Sequence, residues 1–316
     1  MEASPEIKKS QHPLGTILIV MPVFVGTCSW TDKMLVESGQ FYPAARPSPE
    51  QMLRHYSSIF PTVEVDSSFY SLPSKRNSEL WVERTPKDFV FHVKSYSLFT
   101  THGTPPQRMP RDIVESLSAD LLAKNNLYIR DMPREATSEL WRRFREAILP
   151  LYEADKLGLI LLQFPRWFVP SAASEHHIIS CKDELSIFDV AVEFRQKDWL
   201  REDRQQRTLD FLRANSLSFV SVDEPQGFGS SVPPVAEATS ERAYVRFHGR
   251  NTDTWEKRGI TANERFNYWY TPDDLIEWVP RIRQLEEQTM RVDVLINTNY
   301  ANQGPMNAQM LMDILA

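Results

Sequence analysis

Five titratable side chains in this chain share one setting. Glu64, Lys94, Glu193, Asp223 and His248 each lie at or near the polar end of a short apolar stretch of alternating character. Acids and cations gathered in one place can move protons. A crowded carboxyl holds its proton toward neutral pH, and a lysine crowded by cations loses its own. On that reading Glu64 and Lys94 are the acid and the base, and His248 is a further proton carrier. Arg195 and Arg246 carry the planar fork that grips a phosphate or carboxylate through two parallel hydrogen bonds. Asn297 and Asn299 would orient hydroxyls or an amide. The same residues allow two other arrangements. Glu64, Glu193, Asp223 and His248 form an oxygen-rich set suited to a divalent ion such as magnesium or manganese, though Lys94, Arg195, Arg246 and Arg250 would oppose it. Alternatively, acids and cations pair and fill a protein interior, as Glu193 with Arg195 or Asp66 with Arg246. No cofactor is expected, and a divalent metal is the alternative.

Eight segments must bring these residues together. They are VFVGTCSW from Val23, TVEVDSSFY from Thr62, FVFHVKSY from Phe89, LGLILLQFP from Leu157, FDVAVEFR from Phe188, LSFVSVDEP from Leu217, RAYVRFHG from Arg242 and RVDVLINTN from Arg291. Alternation sends successive side chains of a strand to opposite faces. One face carries Val63/Val65, Phe91/Val93, Leu162/Phe164, Val192/Phe194, Val220/Val222, Val245/Phe247 and Val294/Ile296. The other carries Thr27/Ser29, Glu64/Asp66, His92/Lys94, Gln163, Glu193/Arg195, Ser221/Asp223, Arg246/His248 and Asn297/Asn299. A closed parallel barrel accommodates both faces, with helices over the apolar side and polar residues converging at the C-terminal mouth. The fold class is therefore α/β, a single TIM-type (β/α)8 barrel over residues 21–316, with residues 1–20 a disordered N-terminal extension. Substrate contacts are expected from Thr27, Trp30, Asp66, Tyr70, His102, Gln163, Arg195, Arg246, Tyr270, Asn297 and Asn299. Of the two cysteines, Cys28 lies on the face opposite Thr27 and Ser29 and reads as a small packing residue.

Helical signals fall between the strands. Ser48-Pro49-Glu50-Gln51 combines an N-cap, a proline at the first helical position and a capping-box partner, opening a helix to about Phe60. Further helices are expected over 74–83, 112–123, 138–153, 202–214, from Thr271 with Leu275, Val279, Ile282 and Leu285 on one face, and near 305–315. The loops after strands three (97–137) and seven (249–270) are long and should overhang the mouth as walls or lids. The Pro/Gly/Ser-rich stretch 225–238 leaves one outer helix missing or very short.

Composition narrows the class. The chain has 316 residues, 36.7 kDa, 41% hydrophobic and 11% aromatic residues, enough for a large core; such a barrel takes about 250 residues. A net charge of -6 and no dense basic stripe argue against nucleic acid as a partner. The apolar run 17–25 is interrupted by Pro22 and is too short to span a bilayer, so no membrane partner is expected. Two cysteines without metal-ligand spacing suit a reducing cytoplasm. There is no phosphate-binding Gly-rich loop, dinucleotide fingerprint or nucleophile elbow.

Taken in order, Gly26-Thr27 with Trp30, Phe41-Tyr42-Pro43, Val63-Glu64-Val65-Asp66-Ser67-Ser68-Phe69-Tyr70, Lys94, Thr101-His102, Gln163-Phe164-Pro165, Glu193-Phe194-Arg195 with Trp199, Asp223 and Tyr244-Val245-Arg246-Phe247-His248-Gly249-Arg250 resemble the YecE-like family, domain of unknown function 72. The resemblance runs from about Val23 to the C-terminus and implies an eight-stranded barrel, but no reaction. Asn297-Thr298-Asn299 separates two asparagines that are adjacent in that family, and Gln196-Lys197 follows Arg195 where the family carries histidine and proline. The expected function is an enzyme acting on a small anionic or polyhydroxylated substrate, phosphorylated in one version, with hydrolase, lyase and isomerase chemistry all compatible. The alternatives are a non-catalytic ligand-binding or sensing protein and a metal-dependent hydrolase or isomerase.

Overall fold

The computed structural model describes residues 23–316 and, ahead of them, a short antiparallel pairing of Lys9–Gln11 with Ile17–Ile19. The expectation for residues 1–20 otherwise lies outside the described residues. Eight strands form a closed barrel: β1 Val23–Thr27, β2 Thr62–Val65, β3 Val90–Lys94, β4 Leu157–Gln163, β5 Val190–Glu193, β6 Ser218–Asp223, β7 Arg242–Phe247 and β8 Arg291–Ile296. Neighbours pair in parallel in chain order, and β8 closes the ring against β1. Val, Ile and Phe dominate these segments, and the outward members pack beneath the helices: Val63, Phe91, Leu162, Val192, Val245 and Ile296 are fully buried.

The helices begin where their caps predict. Ser48 and Gln51 exchange the two capping-box bonds of Pro49–Ser57, which ends slightly before Phe60. Ser74 caps Lys75–Glu83, and Arg134–Glu153, Gln205–Ala214 and Gln303–Leu315 follow as expected. The helix expected from Thr271 divides into Pro272–Ile276 and Val279–Gln288, because Pro280 has no N–H for the previous turn and is accommodated only at a new helix start. The segment expected over 112–123 likewise forms two short turns, Arg111–Glu115 and Ala119–Leu122. Ala172–Glu184 between β4 and β5 has no apolar periodicity and gave no signal in the sequence. Between β6 and β7 residues 224–241 contain no helix.

Register fixes which side chains enter the barrel, because paired residues of adjacent parallel strands share a face. Arg246 pairs with Leu295 and Val222, and Leu295 in turn pairs with Gly26. Six strands place their polar parity inward as expected. Two do not. In β1 the inward residues are Phe24, Gly26 and then Cys28, so Thr27 faces the helix Pro49–Ser57, where its N–H donates to the Tyr56 hydroxyl at 2.8 Å. A Cβ at Gly26 would overlap the Thr62 carbonyl, so this strand can approach β2 only with glycine there. In β6 the inward residues are Val220, Val222 and then Glu224, leaving Ser221 and Asp223 outside.

Candidate functional site

The barrel interior is filled by a bonded layer of charge. Arg246, fully buried, donates to Glu193 at 2.5 Å, to Glu64 at 2.7 Å and to Gln163 at 3.3 Å. The Tyr244 hydroxyl donates to the other Glu64 oxygen at 2.6 Å. Arg195 continues the chain, reaching Glu193 at 2.5 Å, Glu224 at 2.8 Å and His248 Nε2 at 2.9 Å. The Asn297 carboxamide lies 2.9 Å from His248 Nδ1, and Asn299 donates to Asn297 at 3.4 Å. Two guanidiniums thus serve three carboxyls, and one negative charge is surplus. Glu193, beside both guanidiniums, outweighs its burial and stays well below the usual carboxylate range. Burial pushes Glu64 up to about 7 against the pull of Arg246, and Glu224 up to about 8 against Arg195. The proton that offsets this charge is therefore shared between the two outer carboxyls. His248 is driven well below its ordinary value by burial and by Arg195, so its ring is neutral; Nδ1 faces the Asn297 amide nitrogen, and Nε2 lies 3.2 Å from Glu193 as well as beside Arg195.

Several residues singled out from the sequence stand elsewhere or in other states. Lys94 is a cation rather than a base: burial would release its proton, but Asp66 at 3.0 Å holds it, and its value lies above the ordinary one. Asp223 is outside the barrel, taking the Trp278 indole N–H at 2.5 Å and an Arg250 N–H at 2.7 Å. The oxygen-rich set drawn for a metal therefore does not assemble, since Asp223 and Glu193 occupy opposite faces of the sheet. Among the described residues no group of three His, Cys, Asp or Glu side chains is arranged to hold a metal ion. Tyr270 is fully buried behind Asp223, accepting the Gly249 N–H at 2.8 Å. Trp30 packs edge-on against Trp81 and Phe91 beneath the helices, away from the mouth. Cys28, read as packing on the other face, points into the barrel with its sulfur 3.5 Å from Arg246, and burial raises its thiol well above the ordinary value. Tyr70 remains on the rim, exposed, under the Arg108 guanidinium.

Above the bonded layer lies a cleft of about 290 Å³. His102, Gln163 and Arg195 line it, together with Arg166 and Trp167 after β4, Ser230 after β6, and Trp255, Glu256, Lys257, Arg258, Arg265 and Phe266 from the loop after β7. Glu64, Glu193, Arg246, His248 and Asn297, expected around one cavity, are instead the filled floor beneath it. The cleft presents five cationic side chains and one carboxylate, Glu256, which is engaged by the Ser230 hydroxyl at 2.8 Å. Among the described residues no carboxylate lies within 4.0 Å of Arg166, Lys257, Arg258 or Arg265. Arg265 is fixed by loop carbonyls, donating to Lys257 at 2.8 Å and Thr254 at 3.1 Å, and its value is lowered by burial and by Arg166 and Arg195. Trp255, under the Arg195 guanidinium, is buried and its indole N–H has no acceptor. The lining is thus rich in donors and positive charge and poor in acceptors.

The 249–270 loop is legible as a wall of the site from its length and its place after a strand C-terminus, whereas its cations carry no such positional signal. The Glu256-Lys257-Arg258 run and Arg265 were the available signal, together with Arg166 directly after the end of β4.

The chain matches the family described as Protein of unknown function DUF72 over residues 24–316. The UPF0759 protein YunF of Bacillus subtilis is 31% identical over 297 residues, covering 93% of this chain and 94% of that protein. A DUF72 family protein from Thermotoga maritima superposes with a TM-score of 0.72 at 28% identity, covering 93% of this chain and 98% of that one. One from Enterococcus faecalis superposes with a TM-score of 0.74 at 23% identity, covering 93% and 95%. Among the described residues no helix is long and apolar enough to cross a membrane.

Proposed function

The chain belongs to the DUF72 family, and from that premise we propose that it is an enzyme that holds a small anionic, polyhydroxylated substrate, phosphorylated or carboxylated, at the C-terminal mouth of its barrel and acts on it by acid–base chemistry. The observation that carries this reading is the cleft itself: Arg166, Arg195, Lys257, Arg258 and Arg265 converge on one small volume, four of them without a carboxylate partner among the described residues. Five cations held together repel one another, and a ligand that brings negative charge and acceptor oxygens relieves that repulsion. Exposed Trp167 and half-buried Phe266 supply flat apolar surface for a ring or carbon backbone.

The second reading, a binding protein without turnover, draws on the floor of the cleft, where every carboxyl of the Glu64–Arg246–Glu193–Arg195–Glu224 layer is already bonded. Mass spectrometry of small molecules released from freshly purified protein tests the ligand class. A phosphorylated or carboxylated hydroxy compound supports the proposal, and a neutral or cationic ligand contradicts it. Incubating the recovered compound with the protein then separates catalysis from binding, since only the enzyme reading gives a changed product.

A further inference from the structure

His102 stands apart from the other histidines of the mouth. His248 is locked between Arg195 and Asn297 in the floor, whereas His102 lines the cleft. Its ring is held edge-to-face by Phe69 at 4.9 Å and by Trp167 at 5.9 Å. Its Nδ1 lies 2.9 Å from the Thr100 hydroxyl, whose own proton is directed to the Ser97 carbonyl at 3.3 Å. A hydroxyl that has donated its one proton can only accept from Nδ1–H. This arrangement favours the Nδ1–H tautomer of the neutral imidazole, which places the lone pair on Nε2, the nitrogen left for the cleft. The backbone enforces this aim. Thr101 adopts a left-handed conformation, φ 63°, which a β-branched residue takes only under constraint, and its own hydroxyl is buried without a partner. The turn is closed by the His102 N–H donating to the Ser97 carbonyl at 3.1 Å.

We propose that His102 is the proton acceptor of this site, its Nε2 taking up one proton when a multiply charged anion settles among the cations of the cleft. This rests on the anion reading above and adds to it the group that moves the proton. In the free protein Lys94, at the end of β3 and paired with Asp66, and Arg195, after β5, are the charges that act on the ring, while Arg166, Lys257, Arg258 and Arg265, with the one carboxylate Glu256, line the same cleft. Burial, then Lys94 and Arg195, push His102 down to about 3, so the empty site keeps it neutral at any physiological pH. A bound dianion cancels part of that field, and the imidazolium becomes tolerable. The proton comes from solvent, or from a ligand hydroxyl within reach. The nitrogen lone pair forms the new N–H bond, and the donor oxygen keeps the electrons of the bond that breaks.

Nitrogen-15 NMR of the histidine rings in the full chain, with His102 assigned from a His102→Gln sample, reads this directly. Sulfate is the probe because it does not itself titrate near neutral pH. The expected result is an Nδ1–H tautomer without sulfate and, when sulfate saturates the protein, a titration midpoint moved from about 3 into the neutral range, a rise of about four pH units. Thr100→Val, which matches threonine in shape but removes the hydroxyl acceptor, should give a mixture of tautomers. Calorimetry on the same samples reports whether sulfate binds. If sulfate binds and His102 is unchanged, or if the free ring is the Nε2–H tautomer, this proposal is overturned while the anion reading stands. If no sulfate binds, both fall.

Discussion

Two ends of one barrel use the same residue types in opposite ways. Near the N-terminal end Asp293 is buried with Arg291 at 2.6 Å, His92 at 3.1 Å and Arg242 at 3.7 Å, and Arg291 also covers the Phe24 ring. Those neighbours hold the Asp293 carboxyl far below its ordinary range. His92 accepts the Leu159 N–H through Nδ1, so even the imidazole is used by the backbone. At the mouth, Arg166, Lys257 and Arg258 are exposed and none of the described carboxylates pairs with them. A cluster whose charges are paired gains little from a ligand's charge, while an unpaired one carries electrostatic strain that a ligand can relieve. Pairing, rather than the mere presence of charge, therefore separates the residues that hold this barrel from those that face its ligand.

The sharpest way to break the comparison is to unpair the saturated interior. Arg246→Met strands Glu193 and Glu64 without their shared guanidinium, and removing one partner from such a buried network costs about 3–5 kcal/mol. Denaturant unfolding should show that loss, and a near-native midpoint would mean the layer is not structural. A smaller effect is expected outside the barrel. Asp223→Asn weakens its bonds to Arg250, but Arg250 keeps Asp274 at 3.1 Å and Glu277 at 2.9 Å. We expect a loss of about 1–3 kcal/mol with no change in anion binding, and a loss of anion binding at unchanged stability would return Asp223 to the site.

The interior layer also predicts a pH signature. Glu224 holds its proton up to about 8 in the folded state, above the 4.5 ordinary for a free glutamate. Between those values the folded chain binds more protons than the unfolded one, so this group makes stability fall as pH rises through that window. Glu193 and Asp293, held low, contribute stability that is present above the ordinary carboxylate range and disappears at more acidic pH. Melting temperatures of Glu224→Gln should consequently decline less than those of the parent from pH 5 to pH 8. Equal slopes would show that Glu224 is ionised throughout.

Much of the fold was legible because strand parity is a two-fold choice that charge usually resolves. Glu64, His92, Lys94, Gln163, Glu193, Arg246 and Asn297 all enter the barrel as their alternation predicts. Parity misled where its marker was ambiguous. In β6, Asp223 and Glu224 are adjacent acids on opposite faces, and only pairing with β7 decides that Glu224 goes in. In β1, glycine at position 26 hides the inward face, so Thr27 was given the role that Cys28 occupies. The cleft was harder still. Its cations come from loops, where no periodicity operates, and their significance lies in partners they lack, which only a three-dimensional arrangement reveals.

Unpairing can also be tested where it is expected to change stability least. Lys257→Ala with Arg258→Ala removes two exposed cations from the cleft and should leave thermal unfolding unchanged. The most direct measurement of the central claim is calorimetric titration of sulfate into the parent and this double variant at low ionic strength. The account predicts saturable binding to the parent and an affinity at least about tenfold weaker in the variant, the loss that 1.4 kcal/mol represents. Equal affinity in the two proteins, or no binding to the parent, would contradict it.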